Sequence, residues 1–504
     1  MTLHRIVNMR NSRVAWMLLL VLLCGGAAAT AQARKQDPNT EPDRKIAAEI
    51  KNHNELMENL EYLSDMLGPR LTGSENLRKA NHWAEQKFRE YGAQGVHLEP
   101  WSLGRSWTRG RIEARITAPA EHPISAASYG WVEGTRGTIR GPVVYLNATK
   151  PADLEPFKGK LKNAIVLLFE PRSIVTPAHP MLTPYGDSVI PMNELKPAMS
   201  FAFFQPAYRF LTEEGAAAML MPSDKTHGLL NMFDLGWLSS KDTDRITGDQ
   251  VRIAPTPAAY VSWEDYNLIW RLMQRGKVEM ELNIQNSYSD KPVEVYNTVA
   301  EIRGSEKPDE IVMLGAHMDS WDLGTGATDN GTGTVAVLEA ARALLKSGMK
   351  PKRTIRFVLF SGEEQFLLGS KAYLKSHQGE LAKISGVLVH DSGSGKVLSI
   401  GLESDYAARE IMDQVVRPLH EFGLLELTNR MIYASDNSTF DDAGVPGFLT
   451  IQDVLDYNQT HHSQVDTFDR VRRDDLEQSA EVIAIWAYNV AQLPDLLPRK
   501  PASR

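Results

Sequence analysis

From residue 289 onward the chain alternates short apolar stretches with helical patterns, and this alternation constrains its fold more than any other feature. Residues 311–314, 354–360, 386–389 and 447–451 read as buried strands, while 331–346, 365–376 and 474–491 carry helical spacing. The helix expected over 331–346 shows Val337, Leu338, Ala341, Leu344 and Leu345 on one face and stops at Gly348 and Pro351. Such an order predicts an α/β fold: a doubly wound, mostly parallel sheet with helices on both faces.

Each of the four strands is followed by residues that can hold a metal ion. His317, Asp319 and Asp329 follow the first, Glu363 and Glu364 the second, Asp391 the third, and His461 and His462 the fourth. Singly, each has a plainer reading. His317 and Asp319 could be a loop histidine beside a solvated acid, and Asp329-Asn330-Gly331 a turn or helix cap. Glu363-Glu364 could cap the next helix, Asp391 could be a loop acid before Ser392-Gly393, and the two histidines could lie on the surface. Open α/β sheets, however, place their ligand crevice at the carboxyl ends of the strands, so four such ends point to one shared site. In that site Asp319 is placed to accept the hydrogen bond that fixes the His317 tautomer. One glutamate of the pair would bind metal while its neighbour takes a proton from water.

A chain of 504 residues exceeds one compact core, and 42% apolar with 23% charged residues is the composition of an ordinary globular protein. Residues 1–33 stand apart as a secretory signal peptide: Arg5, Arg10 and Arg13 precede an apolar run over 14–23, with small-residue cleavage sites at 29–33. Met9 offers an alternative start. Export then predicts a secreted or periplasmic protein. The single cysteine, Cys24, ends that run, and Leu23 before it argues against lipidation. Without mature thiols, disulfides and cysteine catalysis are excluded. Cleavage removes three arginines and no acid, which takes the net charge from -8 to -11 and makes nucleic acid a poor partner. After the leader, no apolar run reaches the roughly 18 to 20 residues needed to span a bilayer.

Residues 34–120 form an N-terminal part that opens with two helical stretches over 43–91, broken by Gly68-Pro69 and ending at Gly92, followed by strands over 96–101 and 112–117. Between 121 and 288 the character changes to short apolar strands at 141–146, 164–169, 217–221 and 258–261 separated by Gly and Pro, which predicts a separate strand-rich module. Residues 289–504 complete the α/β part.

The segments 67–74, 315–331, 352–365, 443–447 and 461–467 together resemble the co-catalytic zinc exopeptidases, and within them the carboxypeptidase Q type. The resemblance covers nearly all of the mature chain and is weakest over 121–288, which is similar to the protease-associated domain inserted in such peptidases. It implies two zinc ions, one held by His317 and Asp391, the other by Glu364 and His462, with Asp329 bridging them. It also implies Glu363 as general base, Asp319 as the residue that orients His317, a dipeptide or short peptide as substrate, and a homodimer. Where family members commonly carry histidine after the aspartate of the 435–440 segment, this chain has Asn437. The alternatives are an aminopeptidase acting on longer peptides, a glutaminyl cyclase with one metal, or a non-catalytic receptor-like ectodomain. The last two fit less well, because every ligand position and Glu363 carry competent residues.

Overall fold

The computed structural model describes residues 40–171, 201–239, 247–403, 405–429 and 435–500. The expected leader over 1–33 lies outside them. Eight strands form the main sheet: β1 (Gln94–Leu103), β2 (Val293–Ile302), β3 (Lys307–His317), β4 (Arg353–Phe360), β5 (Ile384–Val389), β6 (Val397–Gly401), β7 (Glu426–Thr428) and β8 (Gly447–Gln452). Their order is β1-β2-β4-β3-β5-β8-β6-β7. The four central strands β4, β3, β5 and β8 run parallel, while β1, β2 and β6 join antiparallel to their inner neighbours. The carboxyl ends of the parallel quartet therefore lie on one edge.

Both faces of this sheet are buried, as its near-continuous apolar strands require. Val312, Leu314, Ala316, Phe357, Leu359 and Leu388 face one core, shared with helices α1 (Glu75–Tyr91), α2 (Thr332–Lys346) and α5 (Arg473–Ala491). Met313, Val358, Phe360, Val387 and Val389 face the other, which is closed by α3 (Leu368–Ser376) and α4 (Asp436–Asp442) through Tyr373 and Phe440. Helices on both faces are what the alternation predicts. Helix α1 is fixed at both ends: the Ser74 hydroxyl accepts from Leu77 N at 3.2 Å, and Gly92 closes it at φ 96°.

A second eight-stranded sheet comprises the short strands His122–Pro123, Ile112–Ala118, Glu279–Ile284, Ile139–Tyr145, Ile165–Leu167, Ala218–Pro222, Ala258–Val261 and Ala126–Ser128, in that order. It has a core of its own around Ile165, Leu220, Tyr266 and Leu282. Ile112–Ala118, which lies ahead of residue 121, pairs into it, and helices Phe201–Glu213 and Trp263–Met273 accompany its strands. Among the described residues no helix is long and apolar enough to cross a membrane.

The helix expected over 365–376 starts later, at Leu368. Phe366 and Leu367 adopt φ of 67° and 60°, a left-handed pair that no helix continues through. Glu363 and Glu364 therefore sit in a turn between β4 and α3, not in the first turn of a helix.

Candidate metal centre

The parallel quartet carries its acids and imidazoles to one place because each strand end is followed by a short turn. β3 ends on His317 itself, and its neighbour Met318 is fixed by donating N–H to Phe360 O, the last residue of β4, at 2.7 Å. Thr334, one turn into α2, donates to His317 O at 2.9 Å.

His317 Nε2 stands 3.3 Å from Asp391 Oδ1 and 3.3 Å from Asp329 Oδ1. The other oxygen of Asp329 faces a second group: His462 Nε2 lies 3.5 Å from Asp329 Oδ2 and 2.9 Å from Glu364 Oε2. Asp329 thus belongs to two ligand clusters, one with His317 and Asp391, the other with the histidines at 461 and 462. All five sequence-predicted ligands come together.

The electrostatics of the cluster call for cations. Burial opposes charge on His317, yet the carboxylates of Asp391, Asp319 and Asp329 hold it well above the usual imidazole range. Glu364 is held well above the ordinary carboxylate range by burial and by Asp329, Asp319 and Asp391. Burial and the negative charges of Asp391, Glu364 and Asp436, only partly offset by His317, do the same to Glu363. Among the described residues the buried atoms Asp329 Oδ2 and Glu364 Oε1 have no hydrogen-bond partner. Orphaned carboxylate oxygens beside imidazole nitrogens, with no thiolate among them, fit divalent cations such as zinc.

Around these residues the polypeptide is tied down from several directions. The ring of His317 offers Nδ1 to the backbone oxygen of Asp319 at 3.0 Å, whereas the carboxylate Oδ1 of Asp319 is 3.6 Å away. That carboxylate instead accepts from Thr72 Oγ1 at 2.9 Å and from the backbone N–H groups of Glu363 and Glu364, each at 3.3 Å. Asp319 therefore positions the glutamate turn as well as the histidine. Asp466 performs the same service for Asp329: its Oδ1 accepts from Thr328 N at 2.6 Å and from Thr328 Oγ1 at 2.8 Å. Arg70, wholly buried, donates to five carbonyls, those of Leu63, Gly68, Met318, Thr325 and Gly326. It clasps the loop between His317 and Asp329 at both ends.

Arg70 and Asp466 fall within segments that carry the family resemblance, yet the sequence assigns neither a task, and it leaves His461 without one. His461 Nε2 comes within 3.8 Å of Asp329 Oδ2, and its ring stacks on that of His462 at 3.7 Å. The doubled histidine was the available signal. Asn437 is buried, and among the described residues neither polar atom of its amide has a partner.

Two clusters that share Asp329, at the carboxyl edge of a mixed α/β sheet, have the side chains to hold divalent cations, and the comparisons supply the class, that of the metallopeptidases. Residues 297–487 match the model of Peptidase family M28. Carboxypeptidase Q of Rattus norvegicus is 30% identical over 90% of this chain and 89% of its own, and that of Homo sapiens is 30% identical over 90% and 89%. The crystal structure of a Peptidase M28 precursor from Shewanella amazonensis superposes with a TM-score of 0.75 at 27% identity, covering 92% of this chain and 99% of the other. A zinc aminopeptidase from Bacillus subtilis shares the fold, with a TM-score of 0.61 at 18% identity over 86% and 93% of the two chains.

The chain belongs to peptidase family M28, alongside carboxypeptidase Q. It is a metallo-exopeptidase, and its substrates are peptides.

Proposed function

We propose that this protein is a secreted or periplasmic di-zinc exopeptidase that hydrolyses dipeptides or short peptides. The observation that carries the reading is the division of Asp329 between two clusters, Oδ1 toward His317 and Oδ2 toward His462. His317 and Asp391 hold one ion in this reading, Glu364 and His462 the other, and Asp329 bridges them. Residues 1–33 act as the cleaved leader, 121–288 form an inserted protease-associated-like module, and the working unit is a homodimer.

Two zinc ions bound there would polarise the scissile carbonyl and lower the pKa of water from about 15.7 toward roughly 7. Glu363, half-buried and held above the usual carboxylate range, takes the proton from the attacking water and returns it to the departing amine. Asp319 keeps Glu363 in reach by gripping its backbone N–H, and Thr72 keeps Asp319 in place. Asp466 and Arg70 keep the loop that carries Asp329 from drifting. Relatives named carboxypeptidase favour the dipeptidase reading, while the zinc aminopeptidase fold favours an aminopeptidase acting on longer peptides.

A panel of free dipeptides against blocked aminoacyl amides, run on protein of measured zinc content, separates the two. Faster cleavage of free dipeptides supports the proposal. A preference for long or amidated peptides supports the aminopeptidase.

A further inference from the structure

A peptidase that prefers short peptides with a free carboxyl terminus must meet that carboxylate with a positive group, since the centre itself is rich in acids. Arg70, Arg109 and Lys225 each bond to a segment that carries the centre. Arg70 is spent on five backbone carbonyls and has no exposed surface. Arg109 is held by both carboxylate oxygens of Asp322, at 2.7 to 3.0 Å, and also donates to Ser128. Lys225 is different. Its Nζ donates to Asn458 O at 2.6 Å, and no carboxylate lies within ion-pair distance of it among the described residues. Asp224 beside it is engaged with the amide of Asn231 at 2.5 Å.

The place of Lys225 follows from how its segment is anchored. Asn458 belongs to the short helix Tyr457–Thr460 that leads directly into His461 and His462. A few residues past Lys225, Met232 N donates to His462 O at 2.9 Å, and His462 Nδ1 faces Met232 O at 3.2 Å. Leu230 N donates to Gln464 Oε1 at 2.9 Å, and Gln464 Nε2 returns a bond to Gly228 O at 3.0 Å. The segment after the strand Ala218–Pro222 is thus laced onto the turn that carries a metal ligand. The bond from Lys225 Nζ to Asn458 O, three residues ahead of His461, sets the ammonium on the turn that carries His461 and His462.

We propose that Lys225 receives the terminal carboxylate of the substrate and so sets a preference for peptides whose free C-terminus lies close to the scissile bond. This rests on the exopeptidase reading above and gives the second sheet's part of the chain a direct task in recognition. One ammonium N–H is occupied by Asn458 and two remain for the carboxylate.

The test compares kcat/KM for a dipeptide and for the same dipeptide amide, in the wild type, Lys225→Met and Lys225→Arg. A ratio of the two substrates is unaffected by any fraction of misfolded protein. The proposal expects the acid-over-amide ratio to fall about 10- to 100-fold in Lys225→Met, through KM, and to be largely kept in Lys225→Arg. Calorimetric binding of an uncleavable reduced-bond dipeptide should weaken by the same factor. An unchanged ratio in Lys225→Met overturns the role of Lys225 and leaves the exopeptidase standing. A zinc-loaded wild type that cleaves no peptide overturns both.

Discussion

Replacing Arg70 with methionine probes how the metal loop is held, because methionine keeps much of the apolar stem and removes every donor. Three of the five bonds are short: Nη2 to Gly326 O at 2.7 Å, Nε to Met318 O at 2.8 Å and Nη1 to Thr325 O at 2.9 Å. Hydrogen bonds from a charged donor contribute roughly 1.5 to 3 kcal/mol each, and the carbonyls left behind are buried. Against this stands the cost of burying a guanidinium, which has pulled the Arg70 pKa down to about 10. The net loss should be about 3 kcal/mol. For a chain of this size, with an unfolding entropy of roughly 2.1 cal/mol/K per residue, that is a Tm lower by about 3 °C. The larger effect should fall on metal binding, because the same bonds fix both ends of the loop joining His317 to Asp329. Second-sphere losses of this kind weaken metal affinity about 10- to 100-fold. Calorimetric melting and competitive zinc titration measure the two effects, and Arg70→Lys should fall between wild type and Arg70→Met, since an ammonium cannot reproduce the planar fork. Wild-type Tm together with wild-type zinc affinity in Arg70→Met would refute this account of the loop.

Glu363→Gln should retain its metal and lose about 10²- to 10⁴-fold in kcat, as removal of a general base does; a loss of zinc on dialysis would show that Glu363 is a ligand instead. Among the described residues the Asp234 carboxyl accepts a single hydrogen bond, from Gly236 N at 2.8 Å, and burial pushes it up to about 7. Between pH of about 4 and about 7 the unfolded chain has released a proton that folded Asp234 keeps, so the stability this group contributes falls as pH rises. Asp234→Asn should remove that fall, about 2.5 kcal/mol between pH 5 and pH 8, read from urea unfolding at the two pH values; parallel curves for the two proteins would sink the idea.

The strands that carry the site were legible because they are buried on both faces. All eight residues of β4 are buried, and it closes on the unbroken apolar run Phe357-Val358-Leu359-Phe360. Strand β2 left no such trace: Glu294, Asn297, Thr298 and Glu301 interrupt it. Asn297 lies in the core only because Gly369 O and Ser361 N satisfy its amide, partners that no periodicity reveals. The five candidate ligands were readable because metal binding demands particular side chains after strand ends. Their supports were not. Arg70 acts on backbone oxygens and Asp466 on the N–H and hydroxyl of Thr328, and a backbone partner imposes no residue type on the sequence. The task of Asp319 was half legible: it does reach His317, but through its carbonyl, while its side chain grips the glutamate turn.

The central claim is that one carboxylate joins two ions, and counting metal per chain tests it most directly. Plasma mass spectrometry of active, dialysed protein should find two zinc ions per chain in the wild type, and Asp329→Asn should lose metal and activity together. A fully active wild type carrying a single ion, or an Asp329→Asn variant with unchanged metal content and rate, would contradict it.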